Sequence, residues 1–256
     1  LAQRIGDVPL QIELQAQLAQ LAFYRCDWNE MFRASESATQ LAEREGLVGK
    51  LCLADTLRAF LSWREGDWQQ SEQLFARAHE RAEQIGWSEV SFGALLGLSV
   101  ALRDSDELDR GEAVLTQALA VCDRAGLLAQ SVQAHSARAL VFTLAGQHEA
   151  ARTAADDAAT IAERIRYPVA EAAALEARGI ACDLPEAADL LRQARDTWER
   201  LGRPLDVARC DLLLGLRLQD QDPAAAAPIL AGAAKAYDEL GVAHLATRAR
   251  QVTKVA

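Results

Sequence analysis

Along the whole chain, apolar residues recur at steps of three and four and nowhere alternate as a strand requires. Leu74, Phe75, Ala78, Ala82 and Ile85 show the step within one stretch. This is the signature of helices that bury one stripe, and it predicts an all-α protein. The helices are punctuated regularly. Gly46, Gly86 and Gly126 fall at equal intervals, Arg166 takes the same place one interval further on, and Gly202 and Gly241 close two slightly shorter intervals. Glycine ends a helix well because it enters the left-handed conformation without steric cost. A second set of breaks lies half an interval before each of these, at Asp27, Asp67, Asp106, Gly146, Asp183 and Asp222. Aspartate there predicts N-caps, its carboxylate accepting from the first free backbone N–H groups. Pro9, Pro168, Pro185, Pro204 and Pro223 fall near helix starts or in breaks. Pro228 falls five residues into a helix and predicts a kink or a late start.

Two columns of small residues accompany the breaks. Eight positions before each turn residue stand Ala38, Ala78, Ala118, Ala158, Ala194 and Ala233. Eight positions after stand Ala54, Ala94, Ala134, Ala174, Cys210 and Ala249. Helices approach to about 8 Å only where the contact residue is small. One small residue on each helix of every pair therefore sets a repeated spacing. A single helical hairpin cannot bury its own apolar face, so neighbours must stack. The predicted fold is an all-α, right-handed solenoid of about six hairpins with a period of about 40 residues, closed by a C-terminal capping helix. The polar side of that last helix would carry His244, Thr247, Arg248, Gln251 and Lys254.

The stretch Arg64–Ala78, with Ala59 before it and Gly66, Asp67, Trp68, Phe75 and Ala78 within it, resembles a tetratricopeptide repeat. The period exceeds the roughly 34 residues usual for that repeat, which implies longer helices. That longer form is similar to the helical arms of large bacterial regulators of the STAND ATPase and LuxR type, including maltose-regulator-like proteins. Glu199–Gly215 and Tyr237–Gln251 resemble their C-terminal repeats most. The resemblance implies one repeat domain over residues 1–256, serving a cytoplasmic regulator. Leu1–Gly6 matches Arg81–Gly86, and Gly6 lies one full interval before Gly46. The expectation is therefore a piece of a longer multidomain protein.

Charge and motif content narrow the function. A net charge of −10 argues against a generic nucleic-acid or anionic-membrane surface, and no basic recognition helix is visible. No uncharged apolar run approaches the length of a membrane span. Five scattered cysteines, Cys26, Cys52, Cys122, Cys182 and Cys210, fit no disulfide framework and read as reduced thiols, with Cys52, Cys122 and Cys210 as packing residues. No phosphate-cradling glycine loop and no metal spacing involves His79, His135, His148 or His244. The expectation is a non-enzymatic chain with no cofactor. An acidic column, Glu43, Glu83, Asp123, Glu163, Glu199 and Asp238, stands three residues before each turn. It reads either as a solvated stripe or as a polar clamp to the next hairpin.

In such arrays the first helix of each hairpin lines the concave groove. Threading on Ala19, Ala59, Ser99 and Ala139 places Phe23, Tyr24, Phe60, Trp63, Arg64 and Arg103 there, with Val100, Leu140 and Thr143. Aromatic and arginine side chains are the usual anchors of binding surfaces. The alternative is that Phe23, Phe60 and Trp63 pack between helices, as Trp28 and Trp68 are expected to do. An exposed Trp63 would let Trp63→Ala with Arg103→Glu abolish capture without altering melting, whereas a large drop in melting would mark it as core. The leading expectation is a protein-interaction or ligand-sensing arm whose partner is a protein, a peptide or a small-molecule effector. Two rivals are a quorum-sensing type of peptide receptor, which would favour Asn in its groove where this set has none, and a passive homo-oligomerisation scaffold.

Overall fold

The computed structural model describes residues 7–182, 186–219 and 221–254. Thirteen α-helices occupy them, and no strand is present among the described residues. They are α1 (Val8–Tyr24), α2 (Trp28–Arg44), α3 (Leu51–Glu65), α4 (Trp68–Gln84), α5 (Ser88–Asp104), α6 (Leu108–Ala125) and α7 (Leu128–Leu144). There follow α8 (His148–Ile165), α9 (Pro168–Ala181), α10 (Glu186–Arg200), α11 (Pro204–Leu218), α12 (Pro223–Glu239) and α13 (Ala243–Lys254). A single 3-10 turn, Val48–Lys50, leads into α3. The fold is an all-α solenoid of helical hairpins.

The turns are built by one device. Positions 26, 46, 66, 86, 106, 126, 146 and 166 all have positive φ, evenly spaced at two to each hairpin repeat. The next backbone N–H reaches back to close the helix end, as in Leu47 N to the Ala42 carbonyl at 2.8 Å and Trp87 N to Ala82 at 2.9 Å. Five of these eight positions are glycine, and Cys26, Asp106 and Arg166 adopt the same conformation against the preference of a side chain. Asp27, Asp67 and Asp222 cap α2, α4 and α12, each carboxylate accepting a backbone N–H at 3.0 Å, and Asp7 does the same for α1. Asp106 differs from the expectation. It is the left-handed residue that closes α5, so its backbone is spent on the turn and it does not stand as the N-cap. The expected break at Asp183 and Pro185 lies outside the described residues. α12 starts at Pro223 and runs through Pro228, so its start is not delayed.

Both small-residue columns are buried. Ala38, Ala78, Ala118, Ala158, Ala194 and Ala233 are each 0% exposed, and the second column lies between 0% and 5%. Of the stripe on α4, Leu74, Phe75, Ala78 and Ala82 are buried. Ile85 instead sits past the helix end at the cap, where the backbone has turned, and is largely exposed. On α13 the buried face is Leu245, Ala246 and Ala249, continued by Val242 just before the helix; Thr247 and Gln251 are exposed, and His244 and Arg248 are half-buried. The Lys254 side chain lies outside the described ones.

The chain divides into two compact units, one ending at Val121 and the other opening at Cys122. In the first, Ile12, Ala38, Ala42, Leu51 and Ala54 form one core cluster. In the second, alanines of α8 and α9 pack with Val132, Ala139, Ala194, Trp198 and Cys210, and Ala188, Leu191 and Leu214 form a further cluster.

Candidate binding site

The first unit gathers the predicted aromatic residues on the leading helices of its hairpins. Ala19, Ala59 and Ser99, the small residues used to thread the groove, are at most 2% exposed, so α1, α3 and α5 sit closely at this level. Phe23 of α1 and Phe60 of α3 meet with ring centroids 4.3 Å apart. Phe60 also contacts Phe75 edge-on at 4.9 Å and Trp63 at 6.3 Å. Tyr24 and Trp28 flank Phe23 at 5.7 and 6.1 Å. Gly97 leaves room for this cluster, since a methyl group there would run into the rings of Phe75 and Phe60. Phe23, Tyr24, Phe60, Arg64 and Arg103 remain half-buried, presenting part of each side chain to solvent.

Trp63 stands apart from that set. It is 2% exposed, and its indole N–H donates to Asp104 Oδ2 at 2.9 Å. Arg103 donates to the other carboxylate oxygen at 2.8 Å, and the Asp104 side chain is 3% exposed. Trp63 is thus the floor beneath the half-buried residues. Arg64 places its guanidinium 5.3 Å from the centre of the Trp28 ring, a cation–π arrangement. Asp104 is the site residue that the sequence reading omitted. Its signal was present in the repeat: Tyr24, Arg64 and Asp104 are one repeat apart and occupy one position on three leading helices. In the second unit, Leu140 is buried and Thr143 donates to the Ala139 carbonyl at 2.8 Å.

The second unit holds a charged network that sequence patterning did not reveal. Glu176 of α9, 3% exposed, accepts from Arg209 at 2.6 and 2.9 Å and from the Trp198 indole at 3.1 Å. Arg209 also meets Asp206 at 2.7 Å, which pairs in turn with Arg203 at 2.8 Å. Burial pushes the Asp206 carboxyl up, but Arg209 and Arg203 outweigh it and hold the group below its usual range. The charges balance within the network, so it joins α9, α10 and α11 without offering an open ligand position.

Other candidates resolve simply. Burial raises the thiol of Cys52 to about 11 and that of Cys122 to about 12, and it raises Cys210 further still, with Glu176 adding to it. None of the three is a thiolate nucleophile at neutral pH. Among the described residues no group of His, Cys, Asp and Glu is placed to hold a metal ion, and no helix is long and apolar enough to cross a membrane. All six acidic-column residues are exposed. Two of them also reach the next hairpin, Glu83 accepting from Ser91 at 2.7 Å and Asp238 from Arg250.

No family model and no curated protein sequence matches the chain. Solved structures do. A Rap protein complexed with competence and sporulation factor aligns over 96% of this chain and 74% of its own, with a TM-score of 0.68 and 13% identity. The Rap conjugation gene regulator of plasmid pLS20, in complex with the Phr* peptide, aligns over 99% and 77%, with a TM-score of 0.63 and 14% identity. BtubC from P. vanneervenii aligns over 97% and 92%, with a TM-score of 0.54 and 19% identity. At these identities the likeness establishes a common fold, that of a tetratricopeptide-like helical solenoid.

Proposed function

We propose that the chain is a non-enzymatic receptor for an extended peptide or a short protein segment, bound on the leading-helix face of the first unit. The observation that carries this reading is the half-buried aromatic surface of Phe23, Tyr24 and Phe60, flanked by Arg64 and Arg103 and held rigid by buried Trp63 and Asp104. Rings fixed in place take up an apolar side chain at low entropic cost, and a guanidinium holds a carbonyl or carboxylate. The likeness to two Rap structures solved with their signalling factors supports a peptide over a small effector. No asparagine stands in this set, so backbone recognition falls to Arg64, Arg103 and the Tyr24 hydroxyl. Binding would act by favouring one arrangement of the hairpins, with an effect limited to the difference in affinity between arrangements. The resemblance to STAND and LuxR-type arms suggests that the responding module belongs to a larger regulator.

The test is selection of a random linear peptide library on the purified chain and on an Arg64→Glu, Tyr24→Ala variant. Both replaced side chains are half-buried, so the variant should keep its circular dichroism spectrum. A sequence motif enriched by the wild type alone supports the reading. No enrichment, or the same motif enriched by both proteins, overturns it.

A further inference from the structure

On the leading-helix face of the first unit, guanidiniums outnumber the carboxylates turned toward them. Arg64 of α3 and Arg103 of α5 stand on adjacent, touching helices. Buried Asp104 answers one of them: Nε and Nη2 of Arg103 both turn to its Oδ1 at 2.8 Å, while its Oδ2 takes the Trp63 indole N–H. Arg64 lies over the Trp28 ring, a contact made by the face of the guanidinium and not by its N–H edge. Nearby carboxylates are engaged elsewhere: Asp27 and Asp67 cap α2 and α4, and Glu107 pairs with Arg110. The remaining charges by the turns, Arg25, Glu65 and Asp106, are exposed, where water and salt screen them. Two half-buried guanidiniums thus stand against one buried carboxylate, an excess of one positive charge.

A ligand that settles on Phe23, Tyr24 and Phe60 takes water away from these two guanidiniums. A neutral backbone carbonyl would leave the excess charge desolvated and unanswered, whereas a carboxylate answers it with charge-assisted bonds. The net charge of −10 does not oppose this, because acidic residues farther off than about 8 Å are screened at physiological salt. The rings set the spacing. Trp63, with its centre 6.3 Å from that of Phe60, links that ring through Asp104 to Arg103. In an extended peptide alternate side chains share a face about 6.6 Å apart. An apolar side chain on Phe60 and a carboxylate two residues away span a similar step. Resting on the peptide reading above, we propose that the segment recognised is acidic. It sets an aromatic or large aliphatic side chain on the Phe23 and Phe60 rings and an Asp or Glu, two positions away, against Arg64 and Arg103.

The probe is an array of random linear peptides, N-acetylated and C-amidated so that only side chains carry charge, read with the 256-residue chain. The expected result is enrichment of Asp or Glu two positions from an aromatic or large aliphatic residue. Replacing that acid by its amide should weaken binding by about tenfold or more, and the loss should shrink as salt is raised. Arg64→Glu should exchange the acidic preference for Lys or Arg and keep the apolar one. Arg103→Gln should weaken the enriched peptide without exchanging the preference. Circular dichroism checks that each variant folds, and Arg64→Glu alone suffices should Arg103→Gln not. A second array with uncapped C-termini separates the two sources of a carboxylate: binding only there assigns the anion to a chain end and overturns the proposal. A motif without acid, still lost in Arg64→Glu, Tyr24→Ala, also overturns it but leaves the peptide reading standing. No enrichment on either array overturns both.

Discussion

A buried tryptophan with a bound indole N–H is a structural residue even when it lies beneath a binding surface. Trp63 donates to a carboxylate that is 3% exposed, so removing the donor leaves Asp104 short of a partner in a place water does not reach. Trp63→Phe keeps most of the ring and loses the N–H, and is expected to cost about 1–3 kcal/mol. Trp63→Ala adds the cavity left by the ring and is expected to cost about 3–5 kcal/mol. Urea unfolding of the two variants measures both. An unchanged midpoint in Trp63→Ala would show that neither the ring nor its bond to Asp104 supports the packing of this unit. Arg64 and Tyr24 are better probes of recognition, because both reach solvent.

At the scale of the helix, spacing is set by what is absent from the side chain. Ala118 is 0% exposed on α6, two residues from the exposed Ala120. Ala118→Leu forces extra volume into a filled contact and should cost about 1–3 kcal/mol, while Ala120→Leu should stay within about 0.5 kcal/mol. Equal effects on melting would mean that the small column does not govern packing. This column is also why so much of the fold was legible. A regular repeat marked by turn glycines and alanines needs only local conformational rules and a count. The candidate site was legible to the extent that it follows the same period, which is how Phe23, Phe60, Trp63 and Arg103 were placed. What periodicity does not carry is direction and pairing. Asp104 sat in the right column, yet nothing local shows that its carboxylate turns inward to the indole of another helix. The Glu176 network was hidden for the same reason, since its members come from three helices and each looks like an ordinary surface charge. Asp106 shows the opposite limit: the residue type suits both an N-cap and a left-handed turn, and its place one residue early decides the matter.

For the molecule as a whole, net charge of −10 makes mild acidification look favourable, because protonation relieves self-repulsion. Two groups in the second unit oppose that. Burial lowers the pKa of His135, with Asp157 acting against it. The unfolded chain therefore takes up this proton first, and the His135 contribution is present above about pH 6.5 and lost as pH falls below it. Asp206, held low by Arg209 and Arg203 against its burial, contributes above the ordinary carboxylate range and is lost as pH falls through its depressed value, below about pH 4. Asp211 has the reverse sign. Burial raises its pKa more than Arg195 lowers it, so its charged form costs stability at neutral pH and the cost is relieved on acidification. Unfolding free energy should thus fall below about pH 6.5 as His135 takes up its proton and again below about pH 4 as Asp206 does, with Asp211 acting in the opposite direction. Denaturant titrations at a series of pH values resolve this. His135→Gln should remove the upper fall, Asp211→Asn the opposing contribution, and Asp206→Asn the acid limb while weakening the protein at neutral pH through the lost ion pairs to Arg203 and Arg209. An acid limb unchanged in Asp206→Asn would show that the network of Glu176, Asp206 and Arg209 does not govern the acid stability of this unit.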